Sequence, residues 1–216
     1  MDSMDPMVQR VLDEYELRSQ EETKRWHEME LNNFVQERDQ FLLAVGPATG
    51  GLMNLLVKEA EARVILEIGT SYGYSTLWLA EAARATGGRV ITLELQPGKQ
   101  SYARDRMAQA GLADVVDFRL GNALDSLAKL DTSVDFVLLD LWKDLYVPCF
   151  DLFYPRLNPG ALVVADNMLY PESAQAHAST YRRHVRSKPD MQSILLPVGS
   201  GLEVSRYTRG ISAVEV

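Results

Sequence analysis

"VILEIGTSYGYSTLWLAEAARATGGRVITLEL", residues 64–95, decides the fold. It opens on a short apolar run, turns at Gly69 and Gly73, carries a longer Ala- and Leu-rich stretch to Thr86, and after Gly87-Gly88 gives a second apolar run ending near Glu94. Short β-rich runs bounded by glycine read as strands, and the longer stretch between them reads as a helix. A strand, helix, strand unit with nearly continuous apolar strands calls for parallel pairing, with both faces of the sheet covered.

The alternation continues outward. Downstream, "QSYARDRMAQAG" reads as a helix closed by Gly111, "VVDFRLG" as a strand, "ALDSLAKL" as a short helix and "VDFVLLD" as a strand. A helix near 147–157, the strand "ALVVADN", a helix near 174–187 and the strands of "QSILLPVGSGLEVSRYT" follow, the last two forming an antiparallel hairpin at one edge. Upstream, residues 6–40 are charged and place Val8, Val11, Leu12, Tyr15, Leu17, Trp26, Met29 and Phe34 at loosely helical spacing. They are expected to form one or two amphipathic helices that cap the core or make a dimer contact. "VGPATGGLMNLLV" (45–57) is a turn running into a helix, a suitable loop for approaching a ligand. The expected architecture is one α/β domain, a helical cap over 1–44 and a core over 45–210.

Composition narrows the function classes. With 46% hydrophobic and 24% charged residues, a chain of 216 residues buries one sizeable core. Its formal charge of −8 disfavours a non-specific grip on nucleic acid or anionic lipid. Cys149 is the only cysteine, which suits a reducing cytoplasm. "MDSMDPMVQR" lacks the pattern of a secretory signal, and no apolar stretch approaches the roughly 20 residues of a membrane span, so a soluble, cytoplasmic protein is expected.

Two sites are written into the strand ends. Glu67, Gly69 and Gly73 stand where the first strand turns into the first helix, the position where open α/β sheets bind nucleotides. Thr70 and Ser71 interrupt the glycine pattern that cradles a pyrophosphate, which weakens dinucleotide binding. Glu94, ending the second strand, is placed to accept hydrogen bonds from two ribose hydroxyls. Either feature alone is better read as a tightened turn or a solvated strand end. Together they favour S-adenosylmethionine, with Ser75 donating to its carboxylate near the helix N-terminus and Asn122 beside the adenine. At the second site Asp140 ends one strand and Asp166-Asn167 end the next. If those strands are neighbours, two carboxylates and an amide oxygen converge and suit a hard cation, most simply Mg²⁺. Lys143, close to a dication, is poised to act as a base toward a hydroxyl, and Trp142 to form an apolar wall.

"LEIGTSYGYS", "ITLEL", "LDLWKDLY", "VVADN" and "GLEVSRY" together resemble the metal-dependent O-methyltransferases that act on small molecules, the catechol O-methyltransferase type above all, over residues 41–208. The resemblance implies a Rossmann-like class I methyltransferase fold, with a mostly parallel seven-stranded sheet and an antiparallel C-terminal hairpin strand. It also implies Mg²⁺ on Asp140, Asp166 and Asn167, Lys143 as general base, and Glu203 on the second diol hydroxyl. Phe41, Trp142, Lys143, Asn167, Pro171 and Glu203 would line the substrate. Val45, Glu67, Gly69, Tyr72, Ser75, Glu94, Asn122, Asp140 and Trp142 would line the cofactor. Leu141 replaces a histidine and Phe41 a tryptophan of that type. A caffeoyl thioester, a hydroxylated uridine in transfer RNA, or a non-catalytic cofactor-binding module are the rival readings, and both monomer and homodimer fit.

Among the remaining features, His27, His177 and His184 are too scattered for a zinc site and are expected at the surface. Ser200 in "VGSGLE" reads as a hairpin turn, and "YRRHVRSK" (181–188) as a solvated basic helix face. Met168, Leu169 and Tyr170 would wall the substrate or pack on the core.

Overall fold

The computed structural model describes residues 4–29 and 37–209, so Phe34 and residue 210 of the sequence reading lie outside the described residues. The chain runs α1 (Pro6–Glu28), α2 (Pro47–Glu59), β1 (Val64–Ile68), α3 (Tyr74–Thr86), β2 (Arg89–Glu94), α4 (Pro97–Gln109), β3 (Val116–Leu120), α5 (Ala123–Ala128) and β4 (Val134–Leu139). It continues with α6 (Tyr146–Phe153), β5 (Leu157–Ala165), α7 (Gln175–Arg186), β6 (Met191–Leu196) and β7 (Leu202–Tyr207). The seven strands form one sheet of order β3-β2-β1-β4-β5-β7-β6. β1 to β5 pair in parallel, and β7 enters antiparallel between β5 and β6.

The period-2 pattern explains how the sheet is covered. Ile65, Val90, Phe136, Leu138, Val164 and Leu202 pack with Met53, Val57, Leu77 and Ala103 on one face. Leu66, Ile68, Val137, Leu139, Val163 and Ala165 pack with Phe150, Phe153, Tyr181 and Val185 on the other. Successive side chains point to opposite faces, so a strand of unbroken apolar residues serves both layers. α1 begins with Asp5 accepting from the Met7 amide at 2.8 Å and Pro6 at the first helical position. It anchors to the first layer through Val8, Val11, Leu12 and Tyr15, each fully buried side chain contributing about 1.5–3 kcal/mol. Its second half is exposed, including Leu17 and Trp26.

Three expectations shift. The helix placed near 147–157 stops at Phe153, because Tyr154–Arg156 tighten into a 3₁₀ turn. The strand read as beginning at Ala161 begins at Leu157, through the turn-like Asn158-Pro159-Gly160. The Asn158 amide donates to Asp135 Oδ1 at 2.7 Å, and the register breaks between Val134 and Phe136 to accommodate the early start. His184 is half-buried rather than superficial: its ring meets Phe150 edge-on and its Nε2 lies 2.7 Å from Asp151. Among the described residues, no helix is long and apolar enough to cross a membrane.

Candidate active site

Parallel pairing of β4 with β5 sets Leu139 opposite Ala165, so Asp140 and Asp166 leave the sheet side by side. The Asp166 amide donates to the Leu139 carbonyl at 3.2 Å, and the Asp140 amide to the Ile68 carbonyl at 3.0 Å. The turn after β5 continues through Asn167 at φ 58°, a left-handed conformation that asparagine tolerates better than most residues. Lys143, just past β4, brings its Nζ to 2.7 Å from Asn167 Oδ1, 2.6 Å from the Tyr146 hydroxyl, 3.2 Å from the Leu141 carbonyl and 3.5 Å from Asp140 Oδ1. The Tyr146 hydroxyl in turn donates to the Asp166 carbonyl at 3.2 Å. Trp142 is 48% exposed at the mouth of this cluster.

The electrostatics are those of crowded anions around one cation. Burial first, and Asp140 second, push the Asp166 carboxyl up to about 7, and Asp166 Oδ1 finds no hydrogen-bond donor among the described residues. Burial lowers the Lys143 ammonium, while Asp140 and Asp166 oppose that shift. Any cation that neutralised the two carboxylates would remove the opposing influence and leave burial to favour the amine.

Glu67, on β1, is fully buried and accepts from Ser75 and Thr76 at 2.5 Å and from Thr92 at 2.6 Å. Its neighbours therefore come from α3 and β2, and Ser75 directs its proton inward to Glu67. Donation from Ser75 to a ligand carboxylate would require the hydroxyl to turn. Burial raises the Glu67 carboxyl to about 7 against the lowering influence of its three hydroxyl partners. A proton then binds the folded state more tightly than the unfolded one, so stability is highest below about 4.5 and is lost as pH rises through about 7. Glu67→Gln is expected to flatten that part of the Tm-against-pH curve between pH 5 and pH 8, removing a stability difference of order 3 kcal/mol accumulated across the range. Parallel curves for the two proteins would reject the assignment.

The glycine turn differs from expectation in its physical reason. The Gly69 amide does not face outward for a ligand; it donates to the Leu93 carbonyl at 3.1 Å. What requires glycine is a close approach: at φ 110°, a Cβ on Gly69 would lie 2.0 Å from the Asp140 carbonyl oxygen. Glu94 ends β2 as expected, accepting from the Ser71 and Gln96 amides at 2.8 and 2.9 Å. Asn122 caps α5 by accepting from the Leu124 amide. Tyr72 is gripped from α1, its carbonyl accepting from Tyr15 at 2.5 Å and its ring lying 4.3 Å beneath the Arg18 guanidinium. Val45 is half-buried, and Gly199 packs against its carbonyl and Thr49. Phe41 is buried with Arg25 over its ring, while the Leu42 amide donates to Glu22 at 2.6 Å.

The hairpin end of the site is tied by backbone. Met168 donates to the Gly201 carbonyl, and Leu169 and Tyr170 to that of Ser200, which makes "GSG" the hairpin turn the sequence indicated. Met168 is buried and belongs to the second apolar layer, whereas Tyr170 is 66% exposed beside the exposed Pro171. Glu203 lies opposite Ala165 and leaves the sheet toward α7, where Arg186 donates to both its oxygens at 2.6 and 3.1 Å. Among the described residues, no hydrogen bond or ion pair joins Glu203 to the Asp140, Asp166, Asn167 and Lys143 cluster. Sequence reasoning missed Tyr146, which holds Lys143, and the Thr76 and Thr92 hydroxyls that hold Glu67. Thr92 was accessible in principle, since it shares a face with Val90 and pairs with Glu67 on the adjacent strand.

A mostly parallel sheet of this order, with a tight glycine turn after its first strand and a carboxylate ending its second, is that of a doubly wound α/β protein that binds its ligand outside the strand ends. Residues 18–207 match the O-methyltransferase family, and the chain belongs to that family. It is similar to the catechol O-methyltransferases of Niastella koreensis, 36% identical over 63% of this chain, and of Mycobacterium tuberculosis, 38% identical over 65%. The aligned stretch spans 63% and 66% of those relatives' own lengths. Among solved structures, the O-methyltransferase from Bacillus cereus in complex with SAH is 26% identical with a TM-score of 0.75, covering 96% of this chain and 93% of the other. The O-methyltransferase TomG from Streptomyces achromogenes in complex with SAM is 27% identical with a TM-score of 0.74, covering 95% and 91%.

Proposed function

We propose that this protein transfers a methyl group from S-adenosylmethionine to one hydroxyl of a catechol-type vicinal aromatic diol, with Mg²⁺ bound by Asp140, Asp166 and Asn167. The observation that carries the reading is the convergence of two carboxylates and an amide oxygen on one lysine. The donor set fits a hard dication: Asp166 Oδ1 is buried without a donor among the described residues, its carboxyl is pushed up by burial and then by Asp140, and all the groups offered are oxygens. The third oxygen of the proposed set is Asn167 Oδ1, 2.7 Å from the lysine that also lies 3.5 Å from Asp140 Oδ1. The SAH and SAM of the related structures, and the Glu94 carboxylate at the end of β2, support the cofactor.

When bound, the sulfonium cofactor supplies an electrophilic methyl group and the dication acidifies a neighbouring hydroxyl. The chain supplies alignment and proton handling. Lys143 Nζ, held by Tyr146 and Asn167, takes the hydroxyl proton, and burial favours the free amine that this requires. Glu94 orients the ribose end, and Trp142 walls the ring. An oxyanion meeting a sulfonium cancels charge, so the protein gains most by fixing the two reactants in line and excluding water.

Methyl transfer to catechol is expected with Mg²⁺ present and is expected to vanish with EDTA, returning when Mg²⁺ is restored. Turnover indifferent to EDTA would overturn the metal assignment, and no turnover on a panel of diols despite cofactor binding would overturn the substrate class.

A further inference from the structure

α7 carries a charge cluster that the proposed reaction leaves unused. Arg182, Arg183 and Arg186, with Ser179 and Ser187, line an opening of about 460 Å³. Glu203 is fully buried and meets Arg186 through both oxygens, while Arg182 Nε stands 3.5 Å from it. Arg182 Nε is itself buried with no hydrogen-bond partner among the described residues. Arg183 is exposed and, among the described residues, reaches only Thr180 Oγ1, at 3.4 Å.

The neighbouring basic groups of this region are matched elsewhere: His184 and Lys188 both meet Asp151. The excess positive charge is therefore confined to the three arginines, in a chain whose net charge is −8. Arg186 engages Glu203 along one edge of its guanidinium and remains 43% exposed, so its other edge stays available. Glu203 fixes the guanidinium planes and neutralises one charge of three. Its strand partner Ala165 immediately precedes Asp166, and α7 follows the segment carrying Asn167 and Pro171. Glu203, which anchors the opening, thus sits one strand over from the residue preceding Asp166, on the β7 side of β5 and away from β1 and β2.

We propose that this opening is an anion subsite, and that the preferred diols carry a carboxylate on the ring or on a short side chain. This rests on reading the Asp140, Asp166, Asn167 and Lys143 cluster as the diol site. A planar carboxylate matches the fork of a guanidinium, the opening has room for a small acid, and the net negative charge of the chain opposes a polyanion.

The test uses 4-hydroxycinnamate, an acid with no diol, titrated calorimetrically into the wild type, Arg183→Gln and the Arg182→Gln/Arg183→Gln double variant. Methylation of 3,4-dihydroxybenzoate and of uncharged catechol is measured beside it. Acid affinity is expected to weaken by about tenfold or more in the double variant, the size of a lost charge-assisted hydrogen bond, and to fall with added salt. The ratio of kcat/KM for 3,4-dihydroxybenzoate to that for catechol should fall by a similar factor. Equal acid affinities, an unchanged ratio, or wild-type binding of the acid no tighter than that of its amide would overturn the proposal. So would salt-sensitive RNA binding that depends on the same arginines while the acid does not bind. If the double variant fails to fold, Arg183→Gln decides, with an expected loss of about threefold. Arginine-dependent acid binding without methylation of either diol would overturn the diol reading and leave the anion subsite standing.

Discussion

Replacing Lys143 by methionine should lower kcat for methyl transfer by about 10²- to 10⁴-fold, the range spanned by general-base effects, while leaving cofactor affinity within about twofold. Methionine keeps most of the stem and removes the amine, so the change reads the proton acceptor rather than a cavity. The amine's partners, Asn167 Oδ1 and the Tyr146 hydroxyl, lie on the side of β4 and β5, whereas five of the expected cofactor contacts, Glu67, Gly69, Tyr72, Ser75 and Glu94, lie on or just after β1 and β2. A general base also leaves a signature in pH. The rising limb of kcat in the wild type reports an amine losing its proton, and the variant should lose that limb as well as rate. A variant within tenfold of wild type, or one that keeps the same limb, would remove Lys143 from this role.

Gly69→Ala should be the most damaging single methyl in the molecule. The added Cβ would fall 2.0 Å from the Asp140 carbonyl oxygen, against backbone that cannot rotate away, and at a φ of 110° that side chains rarely adopt. The β1 turn or the end of β4 must move. A loss of at least about 3 kcal/mol, or roughly 6–12 °C in Tm, follows for a domain of this size. Activity should fall further than stability alone explains, because the displaced carbonyl belongs to the residue whose carboxylate faces Asp166. Scanning calorimetry with methyl-transfer assays below the melting range separates the two effects. A variant with wild-type Tm would show that the turn can be rebuilt without cost.

The sequence carried the sheet well because its signals were of the strongest kinds. Glycine-bounded strands and the alternating helices fixed the element order, and the placement of "VDFVLLD" beside "ALVVADN" brought Asp140 to Asp166 as the parallel register requires. What escaped it depends on direction rather than order. Whether Glu203 points to the carboxylate pair or to α7 turns on strand parity, which its pairing with Ala165 fixes. Tyr146 escaped because it is the first residue of α6, directly after a 3₁₀ turn at Lys143–Leu145, where the helical period has not yet been set. Asn158-Pro159-Gly160 carried turn chemistry and is strand, since the Asn158 bond to Asp135 outweighs local preference. The reason for Gly69 was equally hidden, because the close approach of two backbones is a property of the assembled sheet.

The strand order has a consequence for how the protein is made. β7 is the last strand among the described residues yet lies inside the sheet, between β5 and β6. During synthesis β1 to β5 can pair as they emerge, N-terminal segments first, but the β5 edge stays open until residues 202–207 arrive. Glu203, and the arginine cluster it anchors, comes with that strand. A ribosome stalled before this point therefore holds a five-stranded sheet with an unpaired edge, a substrate for chaperones rather than a partly working enzyme.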